Sequence, residues 1–190
     1  LSEYAGVKRK TGITATNIKD GDELVSVFVA PDCQLMFFTE NGMSLRINGK
    51  DIGATARTSI GVKGIALKDN DKTAVVIPCF DETEIILAFD NGTIKRIPIK
   101  EFTIQNRAGK GLVCAKNCKI IDAVAVDATD KIFIAGTISN ICLAVSEITL
   151  GSRASTGIKA IKNGDIIAIT KVWAKTHTFD FIKNFWYNKL

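Results

Sequence analysis

The residues best placed to do chemistry in this chain are cations, and they recur. Arg9-Lys10-Thr11-Gly12-Ile13, Arg57-Thr58-Ser59-Ile60-Gly61-Val62-Lys63, Gln105-Asn106-Arg107-Ala108-Gly109-Lys110-Gly111 and Arg153-Ala154-Ser155-Thr156-Gly157-Ile158-Lys159 line up, with glycines 12, 61, 109 and 157 spaced by 49, 48 and 48 residues. Windows 5–18, 52–68, 102–121 and 149–163 around them hold 13 of the 25 Lys and Arg residues and none of the 20 Asp and Glu. An even spread would put about seven acids there. Lys and Arg neutralise phosphates and release their counterions, and small residues (Ser59, Ala108, Gly109, Gly111, Ser155, Gly157) let backbone N–H groups approach phosphate closely. A positive track repeating once per structural unit suits a bent polyanion. Read without a ligand, the same segments are solvated turns kept basic for solubility.

Other chemistries find less support. Gly109-Lys110-Gly111 lacks P-loop spacing and the following Ser or Thr, so ATP binding there is not expected. Cys114 and Cys118 form a C-x3-C pair with no second pair of ligands, and the only histidine, His177, lies outside the repeats, so neither a metal site nor a Cys–His nucleophile is expected. The five cysteines (Cys33, Cys79, Cys114, Cys118, Cys142) sit mostly in apolar runs, as reduced thiols of a cytoplasmic protein do. Asn91-Gly92-Thr93 is formally a glycosylation sequon but reads as a hairpin turn. Apolar residues make up 46% and charged residues 24%, which excludes a disordered tail, and the net charge of +5 permits a polyanionic partner. No apolar run approaches the roughly 20 residues of a membrane-spanning helix. The opening Leu1-Ser2-Glu3-Tyr4 resembles no signal peptide, and its lack of Met is expected of a fragment.

What positions the cations is a repeat of about 48 residues, supported by two further marker series. One comprises Asp20-Gly21-Asp22, Asp69-Asn70-Asp71 and Asn163-Gly164-Asp165, with Asn117-Cys118-Lys119 as a degenerate member; the other is Asn41-Gly42, Asn91-Gly92 and Ser139-Asn140. Each unit reads as strands: Val25 to Val29, Gln34 to Thr39 and Met43 to Ile47, then Val62 to Leu67, Ala74 to Ile77, Glu84 to Phe89 and Thr93 to Ile97. Asn-Gly between apolar runs predicts type I′ hairpin turns. No segment before residue 173 keeps a 3.6-residue apolar period, so little helix is expected. The predicted fold is all-β, a propeller-like array of about four four-stranded antiparallel blades over residues 1–172.

These residues resemble a known family. Glu40-Asn41-Gly42-Met43-Ser44-Leu45-Arg46-Ile47 followed by Ala56 to Ile65, then Asp90 to Ile99, Gln105 to Gly111, Glu147-Ile148 and Gly151-Ser152-Arg153, is similar to the C-terminal repeats of the A subunits of bacterial DNA gyrase and topoisomerase IV. The resemblance implies a β-pinwheel whose basic rim wraps duplex DNA, as part of an ATP-dependent type II topoisomerase. Partners would be the remainder of the gyrase-type A subunit and the ATPase subunit, with ATP and Mg needed only in the rest of the enzyme and no cofactor in this chain. Of the gyrase signature Gln-Arg-Arg-Gly-Gly-Lys/Arg-Gly, Gln105, Arg107, Gly109, Lys110 and Gly111 fit, while Asn106 and Ala108 depart. The order of motifs is that of the later four blades. Family enzymes cleave DNA with a tyrosine preceded by arginine; Tyr4 follows Glu3 and Tyr187 follows Trp186, so no catalytic residue is expected here.

Arg57, Lys63, Arg107, Lys110, Arg153 and Lys159 are the expected phosphate contacts, with Arg9 and Lys10 on the first rim position. Gln105 either donates to phosphate or ties down its own loop. Arg46, Lys95 and Arg96, on hairpin strands, are open to solvation or DNA contact. Residues 173–190 break the repeat: Trp173, Phe179, Phe181, Phe185, Trp186 and Tyr187 crowd there, and Phe181, Ile182, Phe185 and Trp186 could form one helix face that seals the last blade. The alternative function is a propeller-like protein-interaction scaffold without DNA affinity. The expected location is the bacterial cytoplasm, at the nucleoid.

Overall fold

A computed structural model of the chain describes residues 13–30 and 32–172. They form strands β1 (Gln34–Thr39), β2 (Met43–Asn48), β3 (Thr73–Cys79), β4 (Glu84–Phe89), β5 (Thr93–Pro98), β6 (Leu112–Val113), β7 (Ile120–Val126), β8 (Lys131–Gly136), β9 (Ile141–Ala144), β10 (Ile158–Lys159) and β11 (Ile166–Val172). No α-helix occurs among the described residues; single 3-10 turns at Gly49–Asp51, Ile99–Glu101 and Val145–Glu147 follow the three hairpins. The tail at 173–190 lies outside the described residues.

The hairpins β1–β2 and β4–β5 occupy the positions expected from alternating apolar residues. Their turns differ from the type I′ expectation. Gly42 and Gly92 have positive φ, but Asn41 and Asn91 do not, and the Gly42 and Gly92 N–H groups donate to Thr39 O and Phe89 O. A three-residue loop with glycine in the left-handed region gives this geometry.

The sheets are assembled across repeats rather than within them. Their strand orders are β3-β1-β2-β6, β10-β5-β4-β7 and β11-β8-β9, with all neighbours antiparallel. A hairpin therefore receives one strand from the segment after it (β3 on β1, β7 on β4, β11 on β8) and a short fourth strand from one repeat later (β6 on β2, β10 on β5). Two expectations fail: Val25–Val29 and Val62–Leu67 form no strands, and no hairpin among the described residues is left to pair with them as β1–β2 pairs with β3 and β6.

Apolar side chains alternate to both faces of each sheet, so cores lie between sheets. Met36, Phe38 and Val75 of the first sheet meet Ile85, Leu87, Phe89 and Ile97 of the second, with Phe102 edge-on to Phe38 at 6.0 Å between ring centres. The opposite face of the second sheet (Ile86, Ala88, Ile94) meets Ile132 and Ile134 of the third. Two buried arginines fasten these junctions. Arg46 Nη1 donates to Ile99 O (3.2 Å) and Phe102 O (3.0 Å), and Arg96 Nη1 donates to Val145 O and Ile148 O (both 2.9 Å), each pair of carbonyls flanking the 3-10 turn of the next repeat.

Candidate nucleic-acid interface

The cationic segments lie on the edge of the array that supplies the fourth strands. The pairing fixes how they correspond. Leu112–Val113 add to Met43–Ser44, and Ile158–Lys159 add to Thr93–Ile94, so Gly111 and Gly157, each immediately before its short strand, are equivalent. A side chain on Gly157 would strike Ile94 O at 2.6 Å, and one on Gly111 would strike Ser44 O, the matching atom one sheet earlier. Gly111, not Gly109, is therefore the structural partner of Gly61 and Gly157. In this register Arg57, Arg107 and Arg153 each precede their glycine by four residues, Lys63 and Lys159 are equivalent, and Lys110 matches Ile60 and Thr156.

The arginines link one cationic segment to the next. Arg57 Nη1 donates to Thr14 O, Arg107 Nη1 to Lys63 O at 2.7 Å and Arg153 Nη1 to Val113 O. Thr14, Lys63 and Val113 each lie two residues past their aligned glycine, so one contact repeats three times and chains the segments into a continuous rim. The rim also clasps the hairpin turns. Gly42 O accepts the N–H groups of Cys114 and Ala115, and Gly92 O those of Ala160 and Ile161.

These contacts divide the expected site residues. Lys63 and Lys110 are exposed, and their ammonium groups meet no acceptor among the described residues; Lys159 is exposed and donates to Asn91 O at 2.6 Å. Arg57, Arg107 and Arg153 are half-buried, and each commits one of five guanidinium donors to a carbonyl. They are not fully exposed turn residues, so charge reversal there would disturb the rim as well as its charge. Gln105 is half-buried and ties down its loop through its backbone, whose N–H donates to Arg46 O at 2.8 Å. Arg9 and Lys10 lie outside the described residues. Among the described residues, no carboxylate forms an ion pair with the side chains of Arg57, Lys63, Arg107, Lys110, Arg153 or Lys159, although Glu101 Oε2 accepts the Arg153 backbone N–H at 3.3 Å.

Arg46, Lys95 and Arg96 are neither solvated nor available to a ligand. All three are buried. Arg46 pairs with Asp81 at 2.6 Å and Arg96 with Glu84 at 2.7 Å, in addition to the carbonyls of the next repeat. Lys95 Nζ donates to Cys114 O (2.6 Å), Ser155 O (2.9 Å) and Arg153 O (3.0 Å), which fixes the third and fourth cationic segments to the sheet beneath them. Burial lowers its pKa below the ordinary lysine value. Above it, a groove of about 670 Å³ runs between Val113–Cys118 and Arg153–Gly157 and carries the exposed Lys116 on its wall. Burial raises the Cys114 thiol to about 11, leaving it a structural apolar group rather than a nucleophile. A signal for the buried arginines exists in the sequence: Arg46 and Arg96 sit at one repeat position inside strand runs, each followed by isoleucine.

Comparison with known proteins follows the same repeats. The family described as DNA gyrase C-terminal domain, beta-propeller, matches residues 1–31, 34–79 and 84–117. This chain belongs to that family. The DNA gyrase A subunit of Klebsiella oxytoca is 33% identical over 175 residues, covering 86% of this chain and 20% of that protein. The DNA gyrase A subunit of Staphylococcus epidermidis is 31% identical over 176 residues, covering 87% and 19%. The chain thus spans about a fifth of these gyrase proteins. Among solved structures, the C-terminal domain of DNA topoisomerase IV superposes with a TM-score of 0.85 at 23% identity over 98% of this chain and 62% of that one. The gyrase A C-terminal domain gives 0.76 at 22% identity, over 86% and 59%. Both share its all-β pinwheel fold.

Proposed function

We propose that this chain binds and wraps duplex DNA along its rim, as the C-terminal part of the A subunit of an ATP-dependent type II topoisomerase of the gyrase kind. The observation that carries the reading is the chained rim itself: successive cationic segments joined by Arg57, Arg107 and Arg153, with no carboxylate pairing their charges among the described residues. Bending a short duplex by 40–90° costs on the order of 1–6 kcal/mol. One phosphate contact does not offset that, but a row of cations fixed at repeating intervals does. Lys63, Lys110 and Lys159 neutralise phosphates; the arginines hold the segments in line, and Arg57 and Arg107 offer their remaining donors, whereas Arg153 Nε is buried, with Arg9 and Lys10 extending the track. Gln105 keeps its loop in place. The reading makes the rest of the gyrase-type polypeptide and the ATPase subunit the partners and leaves ATP and Mg chemistry to them, in a bacterial cytoplasm at the nucleoid.

A gel-shift titration of duplexes of increasing length at two salt concentrations tests this. Binding is expected to be sequence-tolerant, stronger on longer duplexes and steeply weakened by salt. The combined variant Lys63→Glu, Lys110→Glu, Lys159→Glu should lower affinity on every sequence and flatten the log–log salt slope by about two to three. Wild-type protein that shows no salt-dependent binding would return the scaffold reading.

A further inference from the structure

We infer that the groove above Lys95 is a seat for one phosphate group, formed at this junction of rim segments and not at the junction before it. The inference rests on the groove itself and stands whether or not the rim wraps DNA.

The two junctions share one plan. In the register of the rim glycines, Gly64 and Ala66 correspond to Cys114 and Lys116, and Ala108 and Gly109 correspond to Ala154 and Ser155. At the earlier junction the segments bond directly, backbone to backbone. Ala66 N–H donates to Gly109 O at 2.9 Å, and Ala108 N–H to Gly64 O at 2.7 Å. At the later junction the corresponding carbonyls, Ser155 O and Cys114 O, accept the Lys95 side chain instead, at 2.9 and 2.6 Å. Lys95 stands where the earlier sheet has the buried Leu45. The exchange leaves two donors over. The N–H groups of Lys116 and Ala154, counterparts of the two that bond at the earlier junction, meet no acceptor among the described residues. Both residues are exposed, and both line the groove of about 670 Å³.

The same exchange leaves positive charge without a partner. Three carbonyls accept from Lys95 Nζ, and only the protonated amine has three N–H groups to give, so the side chain is an ammonium. It is 5% exposed, and no carboxylate pairs with it among the described residues. Burial and, less strongly, the neighbouring Arg153 charge hold its pKa below the ordinary lysine value. Lys116 adds a third cation, where the earlier junction has Ala66. Glu101 takes the Arg153 backbone N–H (3.3 Å) and Asp90 the Lys119 backbone N–H (3.0 Å), and neither forms an ion pair with these cations. Cations held together out of water are costly without a counter-charge. A phosphate group supplies that charge, and its oxygens accept the two unused N–H groups, as backbone donors do in anion-binding concavities. Lys95 has no N–H left for the ligand and acts through its charge alone. Inorganic phosphate and a nucleic-acid backbone present the same chemistry, and the test separates them.

Inorganic phosphate is titrated into the whole chain at constant ionic strength, with backbone amide resonances as the readout. Those of Lys116 and Ala154 should move and saturate, while those of Ala66 and Ala108, already bonded, stay in place. Lys95→Leu with Lys116→Ala recreates the earlier junction and should weaken phosphate binding on the order of tenfold or more. Should that variant not fold, Lys116→Ala alone, at an exposed position, should weaken it severalfold. A short duplex added next identifies the source. Phosphate shifts that give way as duplex binds assign the seat to a backbone phosphate. Phosphate shifts that persist beside bound duplex assign it to a free anion, as do shifts in a chain that binds no duplex, which would defeat the wrapping reading and keep this one. Lys116 and Ala154 amides that neither probe moves, or shifts that the variants leave intact, would overturn the inference.

Discussion

The second and third sheets carry hairpins in one register, but they end differently. Ile86 lies opposite Arg96 in the second and Phe133 opposite Cys142 in the third. Arg96 reaches two carbonyls of the following repeat and accepts a rim strand beside its own, β10 on β5. Cys142 is exposed, and β9 has no strand on its outer edge among the described residues. The difference teaches that a hairpin in this array has two separable tasks. Its apolar faces hold the sheets together, which the third hairpin still does through Ile132 and Ile134. Its arginine fixes the next repeat at a set position, which the third hairpin cannot do. The family match stops at residue 117, ahead of the hairpin that lacks the clamp.

The most severe way to test this division is to remove a clamp. Arg96→Gln strands Glu84, whose side chain is only 17% exposed, and takes a donor from two carbonyls, of which Val145 O keeps the Ile148 N–H. A loss of about 3–5 kcal/mol is expected in denaturant titration, as for breaking a buried ion pair. Arg46→Gln should cost less, about 1–3 kcal/mol, because its partner Asp81 is 77% exposed and recovers its hydration. Equal losses at the two positions would mean that the carbonyl contacts alone set the energy.

A second difference separates the inner strands. Asp122 on β7 accepts N–H groups from Ala123 (2.8 Å) and, across to β11, from Ile169 (3.0 Å). The equivalent residue on β3 is the apolar Val75, since Phe38 pairs with Val75 as Ala88 pairs with Asp122. Burial raises the Asp122 carboxyl above its ordinary value, with the two N–H groups working against that. A folded pKa above the unfolded one, about 3.9, means the native state binds more protons between them, so this group's contribution falls as pH climbs through that window. The stability of wild type minus that of Asp122→Asn should therefore decline from about pH 3.5 upward. A difference that rises with pH would show that the two N–H groups outweigh desolvation.

Much of this fold is legible in the sequence. Asn-Gly turns flanked by apolar runs locate β1–β2 and β4–β5, because hairpin signals are local. The exchange of strands between repeats is not legible, since Leu112–Val113 and Ile158–Lys159 are two-residue strands whose partners lie 68 and 64 residues away by position. Composition finds the rim cations, yet it aligns the third repeat on Gly109. Two glycines in Gly109-Lys110-Gly111 offer two registers, and only the close approach to Ser44 O selects Gly111. Charge counting also treats every cation alike. It cannot distinguish Lys63, without an acceptor among the described residues, from Lys95, enclosed by three carbonyls.

The smallest effect is expected at Cys142. Cys142→Arg restores the clamp residue to the third hairpin, but the carbonyls it would need belong to a following 3-10 turn, and none follows Val145–Glu147 among the described residues. The new guanidinium would stay in water on an exposed edge, and stability should change by no more than about 0.5 kcal/mol. The contrast with Arg96→Gln is the informative quantity. If arginine stabilised hairpins through its own sheet, by pairing with the neighbouring strand, Cys142→Arg would gain a comparable fraction of what Arg96→Gln loses, because Lys131 stands where Glu84 does and could be changed to Glu alongside it. A null result for Cys142→Arg with Lys131→Glu, set against a large loss at Arg96, would locate the arginine's effect in the junction between repeats rather than in the hairpin that carries it.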